Sequence, residues 1–411
     1  MRKTRLTGAR SAAWTRASLI LLGCVLAPAA EAREGNVFTP YANASVTYDD
    51  NLFRIPAGLD VSTLSGKSQR GDMITSTQEG LRGDRYLGRQ RLTFDASINQ
   101  ARYRTYTYLN ADLVNASGTW AWQLGHNLSG EIGSEYLQSL TGFSDVRSVD
   151  RNVTSVRNDR ATLDYQLHPD WHLLGGLYQT VVENSATSHT GGDFTTQAAE
   201  AGGSFTPSSG NHIALRARYT KASYPNQQFI FGVPVSNDFD ESTASVDFYW
   251  QPHGLSQVSG LLAYARRHYA DLAQRDYNGP TGSLNWLLQA TGKTQLSLGV
   301  KREIGAFFDV TDNYILTDSE TLGATYQATP KTQVQARFDH RVRRFLGDPG
   351  FFIAGTQRRV DTSNTASLTV NYDVAWPVRI SATLARDLRS STAAGFAYAD
   401  TSAILSLQFT W

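Results

Sequence analysis

Apolar and polar residues alternate one by one over many short stretches of this chain. The clearest stretch is Arg91–Asn99, in which the apolar residues Leu92, Phe94, Ala96 and Ile98 occupy the even-numbered positions and polar residues occupy the odd-numbered positions. Successive side chains of a β-strand point to opposite faces, so this period of two predicts a strand with one apolar face and one polar face. Alternating stretches of about ten residues are long enough to cross a bilayer as tilted strands.

Turn signals recur between these stretches at intervals of 38 to 46 residues. They are Gly83-Asp84, Gly125-His126-Asn127, His168-Pro169-Asp170, Pro207-Ser208-Ser209-Gly210, Pro252-His253-Gly254, Ala290-Thr291-Gly292, Thr329-Pro330-Lys331 and Trp376-Pro377. Each interval holds two alternating segments joined by a longer, more polar connection. Eight tight turns join sixteen strands, and one further strand at each end, 38–48 and 399–411, brings the expected number to about eighteen.

We therefore predict an all-β fold, a transmembrane antiparallel up-and-down β-barrel of about eighteen strands. An even strand number places both termini on one side, so the short turns are expected in the periplasm and the longer loops outside the cell. A β-propeller fits the repeat length less well, because each blade needs four short strands. A soluble sandwich fits less well too, since its strands usually have about 5–6 residues.

The N-terminus has the features of a secretory signal peptide. Basic residues precede an apolar run from Ala17 to Ala30, and a small-residue cleavage site follows at Ala30-Glu31-Ala32. We expect residues 1–32 to be removed and 33–411 to form the barrel. Leu21-Leu22-Gly23-Cys24 also resembles a lipoprotein box, which is the less favoured alternative. Cleavage after Ala32 leaves no cysteine, and hence neither a disulfide framework nor a thiolate metal site.

The tryptophans that remain after the leader cluster near the tight turns or the C-terminus. Indole prefers the bilayer interface, because its ring is apolar and its N–H needs a hydrogen-bond partner. The sequence thus predicts one membrane-interface girdle, made of Trp120, Trp122, Trp171, Trp250, Trp286, Trp376 and Trp411.

A barrel of this size leaves an aqueous lumen, so the polar face of each strand is expected to line a pore. The charged residues on that face include Arg91, Asp95, Asp164, Arg216, Arg218, Asp247, Arg337, Asp339, Arg341 and Arg379. Together with Arg160, Lys301, Glu200, Glu303, Asp373 and Asp387, they make eight basic against eight acidic residues, which favours pairs that brace the wall over a net field. The longest loop, 49–72, begins with Asp49, Asp50, Asn51 and, after Leu52 and Phe53, Arg54. We consider it a possible gate, with an ordinary surface loop as the alternative.

No enzyme motif interrupts this pattern. The sequence has no Gly-x-Ser-x-Gly, no His-Glu-x-x-His, no phosphate-binding glycine loop and no EF-hand loop. We expect no catalytic residues, no cofactor and no metal. The formal net charge of +1 gives no support for nucleic-acid binding. A hydrolase with a Ser-His pair on the barrel wall is the least favoured enzymatic alternative.

The start of the mature chain, Phe38-Thr39-Pro40-Tyr41 through Tyr48-Asp49-Asp50-Asn51-Leu52-Phe53-Arg54, resembles EpsL-type proteins, as do Gly80-Leu81 and Arg89-Gln90. These are outer-membrane barrels of Gram-negative bacteria from exosortase-associated exopolysaccharide operons. The resemblance implies passive export of an extracellular polysaccharide through the outer membrane, with a periplasmic export or co-polymerase protein as a possible partner. The C-terminal strand, which ends on Phe409 and Trp411, resembles the assembly signal of bacterial outer-membrane barrels, so we also expect contact with outer-membrane lipid and the barrel-assembly machinery. The alternatives are a diffusion porin for small solutes and a structural or adhesive barrel.

Overall fold

A computed structural model describes residues 36–145, 149–230, 233–271, 273–306, 314–347 and 358–411. The predicted signal peptide lies outside the described residues. Among the described residues, no helix has the length and apolar character that crossing a bilayer requires.

Eighteen antiparallel strands form one sheet that closes into a barrel. The first nine are β1 (Asn36–Asp49), β2 (Asp72–Leu87), β3 (Gln90–Tyr103), β4 (Ala111–Leu124), β5 (Leu128–Leu140), β6 (Val153–His168), β7 (Trp171–Asn184), β8 (Phe194–Phe205) and β9 (His212–Ser223). The second nine are β12 (Phe239–His253), β13 (Ser256–Tyr269), β14 (Tyr277–Gln289), β15 (Thr294–Ala306), β16 (Tyr314–Thr329), β17 (Thr332–Leu346), β18 (Val360–Ala375), β19 (Val378–Ser391) and β20 (Tyr398–Thr410). This confirms the predicted fold class and strand number.

The remaining elements lie in the long loops. A small hairpin of β10 (Gln228–Ile230) and β11 (Val233–Val235) stands between β9 and β12. One short α-helix, α1 (Ser62–Ser65), lies in the loop after β1. Turns of 3-10 helix occupy Thr107–Leu109, Thr187–Gly192 and Ala273–Arg275.

The ring closes where the first strand meets the last. β1 pairs with β2 on one side and with β20 on the other, with Ser45 opposite Ser406 and Ala44 opposite Leu407. Closure removes the open sheet edge, which in lipid would leave backbone N–H and C=O groups without partners at several kcal/mol each. The C-terminal strand therefore completes the barrel, as the alternation of its residues predicts.

The first tight turn lies later in the chain than the sequence suggests. We expected it at Gly83-Asp84, but β2 continues to Leu87 and the turn is formed by Gly88 and Arg89. Gly88 has a φ of +63°, the left-handed conformation that glycine adopts without strain. Asp84 is a strand residue whose carboxylate pairs with Arg91 at 2.6 Å, so the prediction at this position was wrong.

An apolar belt surrounds the outside of the barrel. Large side chains such as Leu173, Leu215, Leu284, Leu368 and Leu405 are exposed on this face. Towards the loop end, the belt gives way to a row of polar residues on neighbouring strands, Ser134, Asp159, Gln179, Gln197 and Lys221. The barrel strands have 12 to 16 residues, more than the about 9–11 that a bilayer needs, so their outer ends extend beyond the belt.

The predicted tryptophan girdle lies at the short-turn end of the belt. Trp120, Trp171, Trp250 and Trp286 are exposed on the outer face. Trp122 covers Gly130 of the neighbouring strand, Trp376 lies in the turn before β19, and Trp411 stacks on Phe409 with ring centroids 5.8 Å apart. All seven tryptophans therefore lie at or near the short-turn end of the barrel.

Candidate functional site

Strand pairing determines which side chains face the lumen. In β3 and β4, Leu92 is opposite Trp120 on the outer face, whereas Arg91 is opposite Ala121 on the inner face. Followed around the ring, the same registers place all ten predicted pore-lining residues on the inner face. These are Arg91, Asp95, Asp164, Arg216, Arg218, Asp247, Arg337, Asp339, Arg341 and Arg379.

Most of these charges are paired along the wall. Arg216 is the best example, because its guanidinium contacts Asp247 at 2.7 Å and Glu200 at 2.9 Å. Arg337 pairs with Asp339 at 2.6 Å, and Arg379 with Asp373 at 2.6 Å. Such pairs join the same or neighbouring strands, so they line the wall without crossing the lumen.

Three of the predicted lumen residues have other partners. Asp164 contacts His172 at 2.6 Å, and Asp95 contacts Arg82 at 2.7 Å. Arg218 stacks on the ring of Tyr178, 4.0 Å from its centroid. Stacked and paired side chains of this kind are held against the inner wall of the barrel.

Arg341 differs from these residues. Within the described part of the chain it has neither a hydrogen bond nor an acidic partner within 4.0 Å, and it lines a cavity at the loop end of the lumen. A guanidinium in this position is available to a solute.

The residues that we considered as a gate hold the base of their loop to the seam strands. Asn51 donates from its side-chain nitrogen to the carbonyls of Ile55 and Ala399, both at 2.9 Å. Asp50 accepts a 2.7 Å hydrogen bond from the backbone N–H of Thr401. The contacts to Ala399 and Thr401 join the base of the loop to β20, while Asp49, Leu52 and Arg54 line the cavity at the mouth of the lumen.

Arg54 completes this tether. Its guanidinium lies 2.9 Å from Asp49 and 3.1 Å from Asp400, and its backbone φ is +53°. The carboxylates of Asp49, Asp50 and Asp400 lie close enough together to suggest a cation site. Arg54 supplies positive charge to this cluster, so its contacts fasten the loop to the seam strands.

The rest of the long loop packs against two neighbouring loops. Phe53 meets the rings of Tyr106 at 4.7 Å and Phe143 at 4.8 Å, within a buried cluster that also holds Ile55 and Leu109. This cluster supports Phe143, which belongs to the loop between β5 and β6. The apolar core of the molecule thus lies at the extracellular mouth.

Segment 141–145, supported in this way, reaches across the mouth. Asp145 accepts hydrogen bonds from both terminal nitrogens of Arg343, at 2.5 and 3.0 Å, and from Arg389 at 2.9 Å. Arg389 also donates to the carbonyl of Ser144 at 2.5 Å. Arg343 lies on β17 and Arg389 on β19, whereas Asp145 follows β5. Around the ring of eighteen strands, even the shorter path from β5 to β17 passes through β4, β3, β2, β1, β20, β19 and β18. The bridge therefore joins nearly opposite walls.

The charge of Asp145 is stabilised by its partners. Burial alone would raise its pKa, but the hydrogen bond from Arg343 and the charges of Arg343 and Arg389 outweigh burial and hold the pKa below the usual range of an aspartate. The bridge is consequently ionised at neutral pH.

A cavity of about 670 Å³ adjoins the bridge. Polar groups dominate its wall, including Arg341, Asp339, Glu303, Thr317 and Asp387. Its volume lies within the range of small-molecule sites, about 300–1,000 Å³. The cavity thus has the size and polarity of a site for a small polar molecule, and the bridge at Asp145 narrows the mouth beside it.

Sequence reasoning missed Asp145, Arg343 and Arg389. In the sequence, 139–151 is one of several longer connections between alternating segments, and nothing in its polar composition sets it apart. The available signal was Phe143, an aromatic residue within a polar loop, which needs an apolar partner to be buried. Its partner Phe53 lies ninety residues earlier, and no local pattern joins the two.

Comparison with known proteins supports the architecture. No family model matches the sequence, and no curated protein sequence matches it. Among solved structures, Pseudomonas aeruginosa OccK2 (OpdF) in complex with glucuronate is similar with a TM-score of 0.50 and 12% identity, over 92% of this chain and 100% of that one. OpdQ from the same organism has a TM-score of 0.51 and 10% identity, over 92% and 97% of the two chains. At these identities, the likeness is one of fold.

Ring closure, the outer apolar belt, the tryptophan girdle and this likeness agree with one another. The chain is an outer-membrane β-barrel of eighteen strands with a polar inner wall.

Proposed function

We propose that this protein is a passive outer-membrane channel for small polar solutes. The observation that carries the proposal is the bridge from Asp145 to Arg343 and Arg389, which crosses the extracellular mouth beside a cavity of about 670 Å³. A solute of monosaccharide size fits such a space.

The chemistry of the wall favours passage over tight binding. Paired charges and hydroxyl groups exchange hydrogen bonds with a hydrated solute, and most cations of the wall already have acidic partners. Weak, repeated contacts let a solute enter and also leave. Glucuronate, which is bound in the OccK2 structure of similar fold, is a solute of the size that we propose for this channel.

Swelling of proteoliposomes tests this proposal. Vesicles containing the purified full-length protein should swell rapidly in arabinose and glucose, more slowly in a disaccharide and not at all in a tetrasaccharide. Vesicles without protein serve as the control. Absence of swelling in every sugar, or equal rates for all sizes, would reject a small-solute channel.

Export of an extracellular polysaccharide is the second candidate. It rests on the resemblance of residues 38–54 to EpsL-type proteins, and it would add the polymer and a periplasmic co-polymerase as partners. The bridge speaks against it, because a polymer needs an uninterrupted path through the mouth. Deletion of the gene distinguishes the two: export requires surface polysaccharide to disappear, whereas a diffusion channel requires slower uptake of small solutes.

A further inference from the structure

We propose that Arg343 and Arg389 form a carboxylate-binding site at the mouth, which Asp145 fills in this structure and which the carboxylate of a passing solute takes by exchange. This inference rests on the proposed channel function and gives it a site, a ligand class and an internal competitor.

The contact has the geometry of carboxylate recognition. Arg343 approaches both carboxylate oxygens of Asp145 in a two-pronged arrangement, and Arg389 adds a third charge-assisted hydrogen bond. Paired N–H groups of a planar guanidinium match the two oxygens of any carboxylate, not only those of aspartate. The carboxylate of a sugar acid can therefore take the same hydrogen bonds as the carboxylate of Asp145.

The arginines are held in place independently of Asp145. The side chain of Arg389 is only 3% exposed, lies 3.5 Å from the fully buried Asp361 and sits over the ring of Tyr398. Arg359 pairs with Asp361 at 2.7 Å and is stacked between Phe345 and Phe396, and Phe345 also lies beneath Arg343. Cation–π contacts and a buried partner keep these guanidinium groups oriented.

The charge balance favours an anion when Asp145 leaves. Arg343, Arg359 and Arg389 carry three positive charges, against two negative charges on Asp145 and Asp361. Removal of Asp145 leaves three against one. Arg341, which has no acidic side chain within 4.0 Å among the described residues, lies on the wall of the same cavity, as do Glu303, Asp339 and Asp387. The three arginines that surround the vacated position would thus attract a carboxylate.

The position of Asp145 explains how such a site could release its ligand. The arginines are on barrel strands, whereas Asp145 is on a loop and is tethered to the same molecule. A tethered competitor acts at a high effective concentration, so it weakens the apparent affinity for a free carboxylate. A solute is then bound briefly and displaced onward or outward, which suits transport better than retention does.

Current block in single channels tests the exchange. Purified full-length protein in planar bilayers is titrated with D-glucuronate, and with glucose as the neutral probe. In Asp145→Asn, the glucuronate concentration that halves the current should fall roughly tenfold, because the internal competitor is gone. In Arg343→Lys, which retains the charge but not the planar fork, that concentration should rise. Glucose should act alike on all three proteins.

A second lumen variant provides the matched control. Asp373→Asn removes one carboxylate from a wall pair at the other end of the barrel and should change the glucuronate titration less than twofold. If the glucuronate titration shifts as much in Asp373→Asn as in Asp145→Asn, the cause is the general charge of the lumen, and the proposed site is rejected.

Failure of the site and failure of the channel give different results. A protein that conducts, but whose glucuronate titration is the same in wild type, Asp145→Asn and Arg343→Lys, contradicts the carboxylate site and leaves the channel intact. A wild-type protein without conductance contradicts the channel itself. If Asp145→Asn does not fold, Arg343→Lys alone decides, because an unchanged titration in that variant rejects the site.

Discussion

The hydroxyl of Tyr41 donates a 2.6 Å hydrogen bond to the carboxylate of Asp95, reaching from the first strand over the second to the third. The ring passes over Gly80, and Arg82 stacks on it at 4.4 Å while pairing with Asp95 at 2.7 Å. Three strands next to the seam are thereby fastened to one another on the lumen face.

Replacement of Gly80 should break this fastening. A Cβ at position 80 would lie 2.3 Å from the Tyr41 ring, so Gly80→Ala must displace the ring and its hydrogen bond to Asp95. We expect a loss of about 1–3 kcal/mol in the free energy of unfolding, measured by urea titration in lipid vesicles. Gly118→Ala is the control, since its Cβ would meet no atom closer than 4.0 Å. Equal stability of the two variants would contradict the role of Gly80.

Removal of the Arg54 side chain should loosen the long loop without opening the barrel. Arg54→Ala leaves Asp49 and Asp400 close together without their cation. We expect faster cleavage within 55–70 by an added protease, while the unfolding midpoint changes little. Ser68→Ala, on the exposed part of the same loop, should leave the cleavage rate close to that of wild type. Unchanged cleavage in Arg54→Ala would show that the apolar cluster alone holds the loop.

The barrel could be predicted from sequence because its information is local. Alternation within each strand sets the two faces, and the turn residues set the hairpins, so the ring of eighteen strands follows without long-range knowledge. The misplaced turn at Gly83-Asp84 shows the limit of this reasoning. A glycine and an aspartate in sequence do not reveal that one lies beneath the ring of Phe94 and the other pairs with Arg91.

Where both odd and even positions of a strand are apolar, the sequence does not predict which side chains face the lumen. In 171–182 the sequence has leucines at odd and even positions, and only the pairing of Leu174 with Asp164 of β6 places Leu174 inside and Leu173 outside. The mouth was less predictable still. Asp145 meets Arg343 and Arg389 across about two hundred residues or more of chain, and a loop that crosses a lumen leaves no periodic signature.

Acidification should release the bridge only at low pH. A carboxylate whose pKa is depressed in the bridge stabilises that bridge above the pKa of a free aspartate, about 3.9, and loses the contribution as pH falls through the depressed value. The difference in single-channel conductance between wild type and Asp145→Asn should therefore stay constant from pH 8 to about 5 and shrink only below the ordinary aspartate range. A difference that vanishes near pH 6 would contradict a stabilised carboxylate.

The last residue should matter for assembly more than for the finished barrel. Trp411 stacks on Phe409, and its backbone N–H donates to the carbonyl of Pro40 at 3.2 Å. Trp411→Ala keeps the backbone bond and loses the interfacial ring, so we expect less protein in the outer membrane but a nearly unchanged unfolding midpoint for the fraction that inserts. Trp411→Phe should restore the membrane level. Full insertion of Trp411→Ala would show that the aromatic ring is not part of the assembly signal.

The width of the conducting path distinguishes a small-solute channel from a wider conduit. Purified protein in planar bilayers should give discrete conductance steps, and short polyethylene glycols that enter the lumen should lower each step, whereas long ones should be excluded by the bridge at Asp145 and leave the step unchanged. Absence of conductance steps, or an equal effect of long and short polymers, would contradict a small-solute channel that is narrowed at Asp145.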